Sequence, residues 1–152
     1  MNAGHAAFWP IAALMFLAGV GIPIMATFNA GIGQQLQSPV AATVILFGVG
    51  LVLAGLALAF AGVPDAAQFK AVEPWRYLGA VLVVFYILAV TWAAPRIGVG
   101  NAIFFVLVGQ LIAAAAIDHY GLWGAIKSAL TLRRAVGIVV MMIGVYLARK
   151  TP

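Results

Sequence analysis

The fourth long apolar stretch of this sequence contains the side chains best suited to chemistry. Gln110 lies near the middle of that stretch, and Asp118 and His119 lie at its end. In a helix of about 100° per residue, positions 110 and 118 are separated by about 80°, so the amide and the carboxylate share a broad face. Carboxylates and imidazoles are the groups that proteins most often use to take up and release protons. This pattern predicts a substrate contact at Gln110 and proton coupling at Asp118 and His119.

Asp118 also has a structural interpretation. The carboxylate could end the helix at the membrane interface and pair with Lys127 or Arg133, which follow in the next connection. Ion pairs of this kind are common where charged side chains meet the head groups. Both interpretations of Asp118 stay open at this level.

The first apolar stretch contains a proline and an amide. Pro23 removes one backbone hydrogen bond and frees the carbonyl of Gly19, so a kink is expected there. Broken helices line the cavities of many transporters, although proline is also simply tolerated in membrane helices. Asn29 is costly in hydrocarbon unless it is paired, so it should face the helix bundle or the interface. Asn29 and the Gly19 carbonyl are therefore candidate substrate contacts, with a role in joining helices as the alternative for Asn29.

Several kinds of reactive site are missing from the sequence. No Asp or Glu lies deep in an apolar stretch, so a central carboxylate that exchanges protons for an organic cation has no candidate. The sequence has no phosphate-binding loop, no nucleophile elbow and no cysteine. His5 and His119, with three acids far apart in sequence, make no convincing metal site. We expect no enzymatic activity, no cofactor and no bound metal.

The elements that must position these residues follow from the distribution of charge. The sequence has only eight Lys or Arg and three Asp or Glu, and they fall between or at the ends of five apolar stretches. A hydrocarbon core of about 30 Å needs about 20 apolar residues in a helix, which the first four stretches supply and the fifth barely reaches. Backbone groups in lipid must be satisfied internally, so each stretch should be helical. We predict a single all-α membrane domain over residues 1–152, with spans at about 8–33, 40–62, 76–94, 97–117 and 133–149. The first stretch lacks the basic start of a signal peptide and is expected to remain as a span.

The basic residues mark the ends of the spans and favour one orientation by a narrow margin. They are too dispersed for nucleic-acid binding and suit lipid head groups. Two connections on the N-terminal side carry five of them, and the opposite side carries three. The count favours a cytoplasmic N-terminus, but a margin this small also allows insertion in both orientations. The two sets are Lys70, Arg76, Lys127, Arg133 and Arg134 against Arg96, Arg149 and Lys150.

Small and aromatic residues indicate contacts between helices and contacts with the interface. Glycine and alanine recur at helical spacing in three spans, as expected where helices approach closely in lipid. Aromatic residues cluster at the span ends, where amphipathic rings prefer the head-group level. Trp92 is open to two interpretations, an interfacial ring or a ring that faces an internal cavity. The small-residue series are Gly48 and Gly55, then Gly109, Ala113 and Ala116, then Gly137 and Gly144.

The order of short motifs along the chain is similar to that of one membrane-protein family. The motifs are Asn29 to Gly33, Ser38 and Pro39, Pro74 and Trp75, Pro95 to Gly98, Gly109 and Gln110, Asp118 to Gly121, and Leu132 to Arg134. Over nearly its whole length the chain resembles the YdcZ-like inner-membrane exporters. It departs from the family pattern at Met25, where a glutamine often precedes the asparagine of the first span, so a pair of amides contacting substrate in that helix is not expected.

This resemblance implies an architecture and a location. Members of the drug/metabolite transporter superfamily with ten spans contain two five-helix halves of opposite orientation, and this chain resembles one half. No internal repeat is visible in the sequence, so a partner must supply the other half. The resemblance implies a homodimer in the bacterial inner membrane, and the weak charge bias together with the use of inverted repeats for alternating access favours an antiparallel arrangement.

These observations lead to one main functional hypothesis. The chain would be a secondary transporter with a cavity near the middle of the membrane, bounded by the first, third and fourth spans. Asn29, Gln110 and the Gly19 carbonyl would contact a small neutral or zwitterionic molecule, with Trp92 or Tyr86 as a stacking surface. The alternatives are a membrane subunit that docks on another membrane protein without transporting anything, and a passive pore.

Overall fold

The computed structural model describes residues 3–148, and all of the long elements in this range are α-helices. Five long helices are joined by connections that contain one short helix and two 3₁₀ turns. The helices are α1 (Ala3–Gln35), α2 (Pro39–Ala61), α3 (Ala66–Lys70), α4 (Leu78–Ile97), α5 (Val99–Tyr120) and α6 (Leu132–Ala148), and the turns cover Pro74–Tyr77 and Leu122–Gly124.

Four of the five predicted spans are confirmed as helices long and apolar enough to cross a membrane. They cover Phe8–Gln35, Pro39–Ala61, Pro74–Ile97 and Val99–Tyr120. The third is longer than predicted, because Pro95 is accommodated in the last turn of α4 and the helix ends only at Ile97. The described part of α6 has 17 residues, about 25 Å at about 1.5 Å per residue, so its crossing stays a prediction. Arg149, Lys150 and the predicted end of the fifth span at 149 lie outside the described residues.

The exterior of the chain is made of large apolar side chains. Phe16, Leu51 and Phe60 are 71%, 75% and 92% exposed, and many other aliphatic side chains of the spans are also exposed. Soluble proteins rarely present apolar surface on this scale, since it is unfavourable in water. The exterior therefore matches a lipid environment.

The chain divides into two compact units, one ending at Arg96 and the other beginning at Ile97. In the first unit the buried residues are mostly small and come from α1, α2 and α4. In the second, Ala102 and Ala115 of α5 are buried. Small residues let helix backbones approach closely, which is the main source of packing energy in lipid.

A tight turn joins α1 to α2. Gln37 has a φ of 52°, in the left-handed region, and reverses the chain there. Ser38 caps α2, because its side chain accepts a hydrogen bond from the Ala41 N–H at 3.1 Å, and Pro39 occupies the first helical position. The end of α1 and the start of α2 are consequently held side by side.

Candidate functional site

One buried polar contact joins α1 to α4 in the first unit. Asn29 and Thr91 are 2% and 3% exposed, and the Asn29 side-chain Nδ2 donates a hydrogen bond to Thr91 Oγ1 at 2.6 Å. Asn29 shares its face of α1 with other buried residues at helical spacing, and Thr91 does the same on α4. These neighbours are Ala26, Ala30 and Gly33 on α1 and Ile87, Val90 and Ala94 on α4. Asn29 thus faces inward as predicted, and it joins two helices.

Two buried polar atoms of the first unit have no hydrogen-bond partner among the described residues. They are Asn29 Oδ1 and the Tyr86 hydroxyl. An amide oxygen can accept two hydrogen bonds and a phenol can donate one. Leaving such groups unpaired inside an apolar region costs free energy, so native structures seldom do it without a functional reason. Both residues are predicted substrate contacts.

Glycine at position 33 allows the close approach of α4 to α1 at this contact. A Cβ atom at Gly33 would lie 3.1 Å from Thr91 Cγ2 and 3.6 Å from Pro39 Cα. The first distance is shorter than normal van der Waals contact between carbon atoms. Any larger residue would push Thr91 away, and with it the hydroxyl that receives the Asn29 hydrogen bond.

A cavity of about 360 Å³ opens beside Thr91, where α1 and α4 end and α2 begins. The cavity was not predicted from the sequence, in which Arg96 was interpreted only as a residue that contacts lipid head groups. The signal that could have found it is the coincidence of polar residues at one end of the predicted first and third spans. Its lining includes Gly33, Gln34, Gln37, Pro39, Thr91 and Arg96.

Trp92 lies next to this cavity and is 55% exposed. The Arg96 guanidinium lies over its ring, 4.2 Å from the centroid, and donates a hydrogen bond to the Trp92 carbonyl. Cation–π contacts of this geometry hold an arginine in place without neutralising it. The described role of Trp92 is to position Arg96, and its predicted stacking against substrate stays a prediction.

The structure does not bring Gly19 to Asn29. Ten residues separate them on one continuous helix, which corresponds to about 15 Å along the axis. Gly19 is exposed, with no atom within 4 Å of the position where a Cβ would lie. The contribution of its carbonyl to a substrate site stays a prediction.

Gln110 lies on an exposed face of α5 in the second unit. It does not contact Asp118, which is eight residues further along the helix and about 12 Å away along its axis. The buried residues of α5 are Ala102 and Ala115, so Gln110 is outside the packed interior of its unit. Its predicted role as a substrate contact is not tested by the single chain.

Asp118 forms an ion pair with Arg134 at 2.5 Å, in a partly exposed setting. This agrees with the structural interpretation of Asp118, but the predicted partners Lys127 and Arg133 were wrong. Lys127 instead packs its side chain near Gly121, and Arg133 precedes Arg134 by about 100° around α6. Only Arg134 is on the side of α6 that meets Asp118.

The residues around Asp118 organise the connection from α5 to α6. The Asp118 carbonyl accepts a hydrogen bond from the Ser128 N–H at 2.8 Å, and His119 Nδ1 accepts one from the Leu130 N–H at 2.9 Å. Arg134 also donates to the Ser128 carbonyl at 3.3 Å. Asp118 and His119 thus have structural roles here, and their predicted proton coupling stays a prediction.

A second cavity, of about 440 Å³, lies between α5 and α6. Its walls are largely apolar, with Ile112, Ala115, Ala135 and Ile138 among the lining residues and His119 and Tyr120 at one end. Such a groove suits an apolar group and lacks the polar atoms that would orient a substrate. Among the side chains of residues 8–148, no three His, Asp or Glu gather into a possible metal site.

The fold and the site define a class of protein. Four of the described helices have membrane-spanning length, and a buried amide–hydroxyl contact joins two of them, as in multi-pass membrane proteins. Residues 10–147 match the model of the family described as "Putative inner membrane exporter, YdcZ". The chain belongs to this family, as its motif order predicted, and is thus a multi-pass inner-membrane protein of a transporter family rather than an enzyme. No curated protein and no solved structure matches the chain.

Proposed function

We propose that this protein is a secondary transporter that exports a small metabolite or drug-like molecule by alternating access. The observation that carries this proposal is the pair of unpartnered buried atoms, Asn29 Oδ1 and the Tyr86 hydroxyl. A substrate donor would satisfy Asn29 Oδ1 and a substrate acceptor would satisfy the Tyr86 hydroxyl, and release would follow when the helices separate. The family assignment supports export as the direction.

The transporter would act as a homodimer, with an antiparallel arrangement favoured. One chain supplies four helices of spanning length and the shorter α6, which corresponds to half of a ten-helix transporter. The exterior carries many exposed apolar side chains, and a second copy could pack against them within the membrane. The narrow margin in basic residues between the two sides is consistent with insertion in both orientations. In the dimer, Gln110 would contact the substrate from its exposed position on α5.

The proposal is tested by transport in liposomes that contain only the purified protein. Counterflow of radiolabelled amino acids and small carboxylic acids should be saturable. Gln110→Ala should abolish it while leaving the dimer intact on cross-linking, because an amide that contacts substrate is lost without loss of packing. Gln35→Ala, at the exposed end of α1, is the matched control and should transport normally.

Other outcomes distinguish the alternatives. Unchanged transport by Gln110→Ala would remove Gln110 from the site. Flux without saturation would indicate a pore, whereas inactivity together with co-purification of a fixed partner would indicate a non-transporting subunit. Labelling of both termini from each face of the membrane should find two orientations, and a single orientation would contradict the antiparallel dimer.

A further inference from the structure

We propose that the cavity beside Thr91 binds the anionic group of a small molecule, a carboxylate or a phosphate, with Arg96 as its counter-charge. This inference deepens the proposed function, because it names a chemical class for the substrate, and its role in transport rests on that function. Binding itself does not depend on transport and can be measured separately. The cavity lies where α1 and α4 end and α2 begins.

Arg96 is held in place but is not neutralised. Its guanidinium lies over the Trp92 ring and donates to the Trp92 carbonyl. Its other N–H groups have no partner within the part of the chain that the structure describes. A guanidinium has five N–H donors in a planar fork that matches two oxygens of a carboxylate or phosphate. Arg96 therefore retains the capacity for a bidentate contact.

Two arginines that form ion pairs, Arg76 and Arg134, differ from Arg96 in having a carboxylate partner. Arg76 has the same kind of stacking, 4.8 Å from the Trp75 ring centroid, but it also pairs with Glu73 at 2.8 Å. Arg134 pairs with Asp118. Among the described residues, Arg96 has no carboxylate partner and lines a cavity of about 360 Å³. Arg96 is thus placed to receive the negative charge of a ligand bound in that cavity.

The walls of the cavity suit an anion. Its lining contains no acidic residue. The Thr91 hydroxyl accepts the Asn29 hydrogen bond, so its own proton is available to donate into the cavity that Thr91 lines. Gln34 and Gln37 add amide donors, and α2 begins at Pro39 in the wall, which places the positive end of its helix dipole nearby. The cavity and Arg96 carry the argument, and the helix end strengthens it.

The size of the cavity limits the ligand to a small molecule. Its volume is at the low end of the range found for small-molecule sites. A zwitterion or a weak acid of this size would place its anionic group against Arg96 and its remainder toward the buried residues of α1 and α4. A zwitterion agrees with the sequence-based expectation of a neutral or zwitterionic substrate, whereas a weak acid bound as its anion departs from it.

The test compares charged and uncharged probes of the same shape. Delipidated full-length protein in a neutral detergent is titrated with benzoate, benzamide and inorganic phosphate, with tryptophan fluorescence as the readout. Benzoate should bind about tenfold more tightly than benzamide, since hydrogen bonds to a charged group are the stronger kind. Arg96→Gln should remove this difference and the phosphate signal. Arg76→Gln is the matched control, because Arg76 also stacks on a tryptophan but already has a carboxylate partner, and it should preserve both.

Further arms keep the result interpretable. Arg96→Lys retains the charge and should retain part of the preference for benzoate, so it replaces Arg96→Gln if that variant does not fold. Nanodiscs with phosphatidylglycerol or phosphatidylcholine test whether the anionic group belongs to a lipid. Arg96-dependent binding of phosphatidylglycerol but of neither soluble anion would overturn the proposal, as would equal binding of benzoate and benzamide. Anion binding by a protein that shows no counterflow would reject the proposed transport and leave the anion site standing.

Discussion

The two units of the chain use different polar contacts to join their helices. In the first, Asn29 and Thr91 form a neutral hydrogen bond that is almost completely buried. In the second, Asp118 and Arg134 form an ion pair whose side chains are about one third exposed. Ionised groups are costly in the centre of the bilayer, whereas amides and hydroxyls are tolerated when paired. The comparison teaches that burial decides which chemistry can join two helices.

The two contacts should also differ in what their loss costs. A buried hydrogen bond between membrane helices contributes about 0.6 kcal/mol on average, but a polar atom left unpaired costs more. An exposed ion pair contributes about 0 to 1 kcal/mol, less at high salt. Placing a charge at the buried contact and removing one from the exposed ion pair should therefore change the free energy of unfolding by very different amounts.

The largest effect is expected when a charge is placed at the buried contact. Asn29→Asp has nearly the same shape, but it puts a carboxylate where the environment is apolar, so it should lower the free energy of unfolding by about 3 kcal/mol. The reciprocal change, Asp118→Asn, should cost less than about 1 kcal/mol because that site is partly exposed. Unfolding in mixed detergent micelles measures both. Equal losses of unfolding free energy in the two variants would show that burial does not decide the cost of a charge.

An intermediate effect is expected from closer packing at the same contact. Gly33→Ala places a methyl group 3.1 Å from Thr91 Cγ2, so it should destabilise the protein by about 1 to 2 kcal/mol and reduce transport. Gly31→Ala is the matched control on the same helix, with no atom within 4 Å of its Cβ position. It should be neutral or stabilising by about 0.5 kcal/mol, since alanine favours the helix. If both variants behaved alike, Gly33 would not set the helix separation.

The smallest effect is expected at the exposed ion pair. Arg134→Gln should lower stability by about 0.5 kcal/mol and increase protease cleavage between Gly121 and Thr131, because Arg134 also holds the Ser128 carbonyl. The effect should shrink in high salt. Arg133→Gln is the adjacent control, since Arg133 has no ion pair among the described residues, and it should leave cleavage unchanged. Faster cleavage in both variants would assign the effect to general loss of charge.

Much of the fold could be predicted from the sequence, because the bilayer imposes a simple rule on it. A run of about 20 apolar residues has few alternatives to a helix, and four of the predicted stretches are indeed helices long and apolar enough to cross a membrane. The inward orientation of Asn29 followed from the cost of an unpaired amide in lipid. Its partner was not predicted, because the sequence does not show that Thr91 of the third stretch meets Asn29 of the first.

The cavity and the ion pair show why the rest could not be predicted. The cavity is formed by the ends of three helices, and sequence patterns within one helix do not determine how the ends of several come together. The partner of Asp118 is Arg134 and not Arg133, a choice between neighbours that depends on the rotation of α6 by about 100° per residue. The role of Gln110 stays a prediction, because its side chain lies on an exposed face of α5.

The two arginine–tryptophan stacks have a mechanical consequence for α4. Arg76 and Arg96 are 20 positions apart, which corresponds to about 30 Å of helix and therefore to the thickness of the hydrocarbon core. Each pairs a cation with an amphipathic ring, the combination that anchors a segment at the head groups. A helix anchored at both membrane surfaces resists movement along the membrane normal. In the proposed transport cycle, α4 would therefore be the helix that keeps its depth in the membrane while others shift.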